Sequence, residues 1–415
     1  MMRIGIVNSF YPPWRGGAET YASNLSTQLV MRGHDVEVLC ASPPRKPGSY
    51  GVNGVRVTCL PITGWLYGTP IVSRLPQRLL QLRADLVHAG FPSPYNAFCA
   101  SLISRVTQTP SLLTWHNDLP PVTAAAKALV YAHDNLVLPA YLRNFRAIIS
   151  TSSKYARSSK ILRKHLGRVR IIPNGVDCQR FHPNAKPDRI KLTCDLEKRK
   201  VILFVGALTR WHCYKGLDVL IKAFALATRR RNDMVLMVVG DGNMKSTYQR
   251  LCMDLDLAEK TIFVGNVSDQ DLPSHYAASD LLILPSKDRS EGFGLTILEA
   301  NACGKPAIGS NVGGIPDAIQ AGFNGLLVPP NNPESLSQSI IRLVDDEHLR
   351  IEMGKNARAF AEEHDWSKVA QATERIYRET FEQSAREPQR SVNHPEHDAY
   401  RSNEDYGGGN GERNG

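Results

Sequence analysis

The same supersecondary pattern opens both halves of the chain, and it restricts the fold more than any other feature. In the first half, Arg3-Ile4-Gly5-Ile6-Val7 has strand character, and the loop after it, residues 8–17, carries two prolines and the pair Gly16-Gly17. Ala18, Tyr21, Ala22, Leu25 and Leu29 then recur at helical spacing. Gly33 stops that helix, and Asp35-Val36-Glu37-Val38-Leu39-Cys40 reads as the next strand. The second half repeats the pattern. Val201-Ile202-Leu203-Phe204-Val205-Gly206 leads into a polar loop ending at Lys215-Gly216. Leu217, Leu220, Ile221, Phe224 and Ala225 form an apolar helix stripe, and a strand follows over 234–239. Strand, glycine-bearing loop, helix and strand make a βαβ unit. Two such units predict an α/β protein of two Rossmann-like domains, each a doubly wound parallel sheet covered on both faces.

Strand patterns continue at 54–60, 84–88, 111–114, 146–151 and 168–173, then at 261–265, 280–284, 306–309 and 326–328. The first domain is expected over 1–178 and the second over 198–365. A Pro-Asn-Gly turn at 173–175 and the proline-bearing polar stretch after it mark the boundary. Helices are expected over 333–345 and 347–363. A last helix, 366–383 with its periodic part from Lys368, is expected to pack back onto the first domain. From Ser384 the periodicity is lost and the chain ends G-G-G-N-G-E-R-N-G, which predicts a disordered tail over 384–415.

Charge is unevenly spread. Residues 1–184 carry 21 Lys/Arg against 7 Asp/Glu, and residues 185–415 carry 29 against 33. The first half is therefore expected to meet something anionic: membrane headgroups, a phosphorylated acceptor or nucleic acid. Its densest stretch, 143–170, holds nine basic residues and no acid. A helix expected over 153–166 would set Ile161, Leu162 and Leu166 among Lys154, Arg157, Lys160 and Lys164. That face suits an anionic membrane surface, or is simply solvated. Arg74, Arg78 and Arg83 among leucines add to it. Phe145 and Tyr155 are the only aromatics of that stretch, too few for stacked single strands, so no nucleic acid is expected. No apolar run approaches the roughly 20 residues that span a bilayer. The first residues enter a strand directly, without a signal-peptide pattern. Eight cysteines stand apart, none as C-x-x-C, which predicts reduced thiols in a cytoplasmic protein.

The stretch 285–306 carries the chemistry. An apolar run, Asp280-Leu281-Leu282-Ile283-Leu284, ends at Pro285, and P-S-K-D-R-S-E-G-F-G-L-T-I-L-E-A-N-A-C-G-K-P follows. Glu291 falls in the loop and Glu299 about two turns into a helix. Between them lie glycines and the open N–H groups of a helix start. Such a site holds a ligand that is anionic at one end and rich in hydroxyls at the other, which describes a nucleotide-sugar. Gly16-Gly17 lets a ligand approach a helix start closely, or serves only as a tight turn. His116-Asn117-Asp118 follows a strand at the end where open α/β sheets bind ligands, and is otherwise a turn before two prolines.

Taken in order, these motifs resemble the retaining glycosyltransferases of the GT-B fold, family 4 (glycosyl transferases group 1). The resemblance rests on Gly16-Gly17-Ala18-Glu19, His116, I-P-N-G-V-D at 172–177, V-G-A-L at 205–208 with Lys215-Gly216, and V-V-G-D-G at 238–242. E-G-F-G-L-T-I-L-E at 291–299, G-K-P at 304–306, V-G-G-I-P at 312–316 and N-G-L-L-V-P at 324–329 complete it. It implies two domains facing across a cleft, with a UDP- or GDP-sugar held mainly on the second. It also implies that Lys215 neutralises the diphosphate, that Glu299 takes both ribose hydroxyls and that Glu291 meets the transferred sugar. Gly240 and the backbone of Gly292, Phe293, Gly294, Leu295 and Thr296 would line the donor site, Gly16 and Gly17 would face it, and His116 would meet the reacting sugar or phosphate. The acceptor would be a saccharide or lipid-linked, in polysaccharide, glycolipid or other glycoconjugate synthesis in the cytoplasm, and the basic first half adds the alternative of a peripheral place on the inner face of a membrane. No metal or cofactor is implied. Many relatives carry Arg where Ala207 stands, so Arg210 or His212 is expected to supply the second cation. The alternative with the same architecture is a nucleotide-sugar epimerase.

Overall fold

The computed structural model describes residues 1–386 apart from 15, 43–45, 67, 120–123, 187–189 and 191–195, and the side chains of 124–126 are likewise left aside. The expected tail lies outside the described residues, save that 384–386 continue the last helix, Trp366–Arg386.

The first sheet contains β1 (Arg3–Val7), β2 (Asp35–Ala41), β3 (Gly48–Val52) and β4 (Val55–Leu60). A separate hairpin, β5 (Gly64–Leu66) and β6 (Thr69–Ile71), follows, and the sheet resumes with β7 (Leu86–Phe91), β8 (Ser111–Trp115), β9 (Ala147–Ser150) and β10 (Val169–Ile171). Its order is β10-β9-β8-β7-β1-β2-β4-β3, parallel except for β3 at the edge. The second sheet contains β11 (Lys200–Val205), β12 (Met234–Val239), β13 (Thr261–Gly265), β14 (Leu281–Leu284), β15 (Ala307–Ser310) and β16 (Gly325–Val328), all parallel in the order β13-β12-β11-β14-β15-β16. Strand direction of winding reverses between β1 and β7 in one sheet and between β11 and β14 in the other. Those reversals open a crevice at the carboxyl ends of the strands.

Apart from the edge strands β3 and β10, each sheet is buried on both faces, which is why its strands read as apolar runs rather than as alternations. Val7, Leu39, Ala89 and Leu113 pack with Trp115 and Phe145 on one face of the first sheet. Ile4, Ile6, Val36 and Val38 pack on the other with Tyr21, Leu25 and Leu29 of helix Gly17–Met31. Trp366, Val369, Ile376 and Tyr377 of the last helix join that same cluster. The chain crosses between the sheets twice, side by side: Val176 N–H bonds the His364 carbonyl at 2.9 Å and Trp366 N–H bonds the Val176 carbonyl at 3.2 Å. Gly175 lies flat on the Trp366 ring, where a Cβ would collide.

Three local expectations need correction. Strand β3 and the hairpin β5–β6 were hidden by glycine, proline and a lack of apolar alternation. They sit at an edge and outside both large sheets, where burial imposes no pattern. The helix expected over 153–166 stops at Ser158, and short 3-10 turns at Leu162–Lys164 and Leu166–Arg168 replace the rest. Ser159 is extended, and its Oγ accepts from Leu162 N–H at 3.2 Å while donating to Asp118 at 2.8 Å. A side chain that bonds local backbone competes with helix continuation. Thirdly, helix Leu295–Ala302 starts later than expected, because Gly294 is left-handed (φ 95°). Glu299 is thus one turn into the helix, not two.

Candidate active site

The loops after β11 and β14, the two strands at the reversal of the second sheet, bring together residues 76 apart in sequence. Lys215 Nζ donates to Glu291 Oε2 at 2.8 Å, with side chains 15% and 10% exposed. Burial disfavours the ammonium, but the Glu291 carboxylate outweighs it and holds the Lys215 pKa above the usual lysine range. Gly216 (φ 76°) must be glycine, since a Cβ would strike the Pro285 carbonyl. Lysine is therefore delivered to the crevice by a turn that tucks under β14. Gly240 (φ 135°) is packed on the Gly206 carbonyl, and Gly206 in turn touches the Lys215 stem, so the floor of this corner is bare backbone.

Helix Leu295–Ala302 begins at the same place. Gly294 offers no side-chain cap, so the first N–H groups point into the crevice with the positive end of the helix dipole. The buried Thr296 Oγ1 has no hydrogen-bond partner. Glu299 accepts from Tyr276 Oη at 2.5 Å. Burial pushes its carboxyl up to about 7, against the Tyr276 hydrogen bond and nearby Arg180. Phe293 is a core residue, leaving only its backbone for a ligand, while Leu295 is half-buried. Arg210 is exposed, with its backbone N–H on Asn243 Oδ1 at 3.0 Å. His212 is held by Thr209 Oγ1 at 2.8 Å, and burial keeps it below the usual histidine range.

The first sheet supplies the opposite wall. Gly17, at the start of helix Gly17–Met31, faces Leu295 across the cleft. Two helix starts thus meet. Gly16 is extended and leans on the buried Glu19 carboxyl, which burial pushes up to about 7. His116 follows β8, and its N–H bonds the Phe91 carbonyl at 3.0 Å. The ring stands edge-on to Tyr21 at 4.9 Å, and burial pushes it down to about 4, so it is neutral near pH 7. Its carbonyl oxygen packs directly on Gly292.

Sequence reasoning missed the residues that lock the two walls together. Arg289 Nη2 pairs with Asp118 Oδ2 at 3.0 Å, and its Nη1 donates to the Ser158 carbonyl at 2.9 Å. Asp118 also accepts from Trp115 Nε1 at 3.0 Å. Asp317 reaches across to accept from Ser152 Oγ at 2.7 Å and Lys154 N–H at 3.0 Å, at the start of helix Ser153–Ser158. Beneath His116, His88 joins Tyr377 Oη at 2.5 Å and Thr114 Oγ1 at 2.6 Å, tying the last helix to this wall. Arg289, Asp118 and Lys154 fall within stretches singled out above, but nothing local marks them as partners. They are ordinary polar residues that only the packing of distant loops makes partners. Tyr276 and Arg180 escaped for the same reason.

Two family models match consecutive parts of the chain: "Glycosyltransferase Family 4" over residues 15–180 and "Glycosyl transferases group 1" over 193–360. An uncharacterized glycosyltransferase of Methanocaldococcus jannaschii is 27% identical over 93% of this chain and 100% of its own. A GDP-mannose-dependent alpha-(1-6)-phosphatidylinositol monomannoside mannosyltransferase of Mycolicibacterium smegmatis is 27% identical over 86% of this chain and 93% of its own. Among solved structures, sucrose-phosphate synthase from Thermosynechococcus elongatus superposes with a TM-score of 0.73 at 23% identity, covering 92% of this chain and all of that one. Anabaena HepE, in complex with UDP and glucose, gives 0.72 at 20% identity, covering 91% and 100%. These likenesses establish the fold.

Proposed function

We propose that the chain, whose two halves match glycosyltransferase family models and whose fold is GT-B, moves a glycosyl unit from a UDP- or GDP-sugar to an acceptor hydroxyl with retention of anomeric configuration. The observation that carries this reading is the convergence of Lys215, Glu291, Glu299 and an uncapped helix start in one crevice. A diphosphate fits between the Lys215 ammonium and the first N–H groups of helix Leu295–Ala302. Glu299 accepts from the two ribose hydroxyls. Glu291 meets the hydroxyls of the transferred sugar, and neutral His116 faces it from the other wall. The relative whose name prescribes GDP-mannose and the HepE complex with UDP-glucose support a nucleotide-sugar donor.

In the reaction the bond from the anomeric carbon to the diphosphate oxygen breaks as the acceptor oxygen bonds to that carbon. Negative charge grows on the departing phosphate, where Lys215 and the helix start stabilise it. Asp118, the acid nearest His116 in sequence, is committed to Arg289, Trp115 and Ser159. That suits a transfer in which the departing phosphate, rather than a protein carboxylate, takes the acceptor proton, with no metal required. The epimerase alternative is not favoured, since the matched relatives are transferases.

A thermal-shift panel of nucleotide-sugars tests the reading, because a ligand that binds the native state raises the melting point. One UDP- or GDP-sugar is expected to do so; a flat panel ends it. Glu299→Ala is expected to weaken that donor by about 1.5–3 kcal/mol, as for hydrogen bonds to a charged group. Unchanged affinity by calorimetry removes the ribose role. With the carboxyl pushed up from 4.5 to about 7, donor affinity should fall as pH drops from 8 to 6, and Glu299→Gln should flatten that profile. The same raised value means that ionising Glu299 costs the free fold stability as pH rises from 4.5 to about 7.

A place at the cytoplasmic face of an anionic membrane belongs to the proposal. Among the described residues no helix is long and apolar enough to cross a membrane. Lys154, Arg157, Lys160, Arg163 and Lys164 are all exposed, although no continuous helix carries them. Near headgroups each basic residue contributes about 1 kcal/mol, so neutralising the five should weaken binding to phosphatidylglycerol vesicles more than tenfold. A native chain that ignores such vesicles at low salt rules the membrane out.

A further inference from the structure

Three aromatic rings stand at the carboxyl edge of the first sheet, and none of the three side chains takes part in the donor site described above. Trp14 lies on Phe10 with ring centroids 4.2 Å apart and planes 14° apart, and Trp65 stands beside the same ring at 6.2 Å. Phe10 is buried at 6% exposure, while Trp14 is 41% and Trp65 58% exposed. Both indoles keep a large part of their surface open to solvent around one buried ring. Trp65 serves no sheet core: the β5–β6 hairpin that carries it pairs with neither large sheet. Trp14 is fixed rather than loose. Tyr11 Oη pairs with Ser26 Oγ at 2.9 Å and Tyr50 Oη donates to the Pro12 carbonyl at 3.3 Å, anchoring the loop on both sides.

We propose that Trp14 and Trp65 form a platform for a pyranose ring of the acceptor saccharide. This rests on the transfer reading above, since it supplies the substrate for the first-sheet wall of the same cleft. The placement supports it. The loop after β1 runs from Phe10 through Trp14 to Gly16-Gly17, and Gly17 faces Leu295 at the start of the donor helix. The hairpin follows β4, two strands along at the same edge. An acceptor lying on the indoles would therefore extend along the same first-sheet wall that carries Gly17. The chemistry fits as well. One face of a pyranose presents several C–H groups, and the electron-rich face of an indole attracts them over a large apolar area. A ring already backed by Phe10 loses little freedom when a sugar covers it. A lipid chain would be served by a broad aliphatic groove rather than by two indoles set around one buried ring.

The test uses the full chain and its own tryptophan fluorescence. It is titrated, with UDP and with GDP present, with the methyl glycosides of mannose, glucose, galactose and N-acetylglucosamine. At least one should shift the emission in a saturable way. Trp65→Ala and Trp14→Ala should each raise the half-saturating concentration about tenfold or more, as truncated aromatic anchors do. The melting-point rise given by the nucleotide-sugar should be unchanged in both variants, which also shows that they fold. No response to any of the four glycosides overturns the platform, as does a response that both variants retain. Emission that shifts with phosphatidylglycerol vesicles and with none of the glycosides assigns the rings to lipid and overturns it too. If the native chain gives no nucleotide-sugar shift, the donor reading fails; an intact donor shift with silent glycosides faults the platform alone.

Discussion

Lys215→Ala is expected to lower kcat by about two to three orders of magnitude, the loss typical when one group that stabilises developing negative charge is removed. The ammonium is the cation that the structure holds at the meeting point of the β11 loop and the start of helix Leu295–Ala302. Its removal has a second consequence. Glu291, 10% exposed, is left without its partner, and breaking a buried pair costs up to about 3–5 kcal/mol, less here because both groups keep some solvent. The two effects separate in Lys215→Ala/Glu291→Gln, which removes the stranded charge. Its melting point should recover most of the loss while turnover stays low. Wild-type turnover in the single variant would take Lys215 out of the reaction.

Gly292→Ala is expected to reduce kcat/KM about a hundredfold, since a misplacement near 1 Å can cost that much when reacting groups must align. A Cβ at 292 would run into the His116 carbonyl oxygen, backbone against backbone. Retreat in the opposite direction is blocked, because Gly314 already packs on the Gly292 carbonyl and Gly313 on the Glu291 carbonyl. The added methyl must therefore push the two walls apart or drag Glu291 out of place. Stability should change less than activity, because a widened cleft relieves the strain. Steady-state kinetics with the donor found by thermal shift decides the matter. Activity within twofold of wild type would mean that the reacting enzyme does not use this close approach.

Much of the architecture is legible in the order of residues. Helices Pro333–Asp345 and Glu347–Glu363 begin after Asn332 and Asp346, whose side chains cap them, and apolar spacing marks their length. The buried strands appear as apolar runs because both faces of each sheet are covered. What failed to show, β3, the β5–β6 hairpin and the break at Ser159, lies where burial is one-sided or where a side chain bonds the local backbone.

The candidate site divides in the same way. Gly216, Gly240, Gly292 and Gly294 are visible as residue types, and a glycine-rich helix start flanked by acids already implies an anionic, hydroxylated ligand. The partnerships are not visible. Lys215 touches Glu291 only because β11 and β14 are neighbours in the sheet, and Arg289 finds Asp118 only because two sheets close on each other. Local spacing by itself determined the strands, helices and turns, because hydrophobic burial and backbone freedom act over a few residues. The tertiary structure alone decided which charges neutralise one another, which carboxyls burial raises to about 7, and which rings gather at the edge of the first sheet. Desolvation and Coulomb energy depend on what surrounds a group in space, and those surroundings come from segments far apart in the chain.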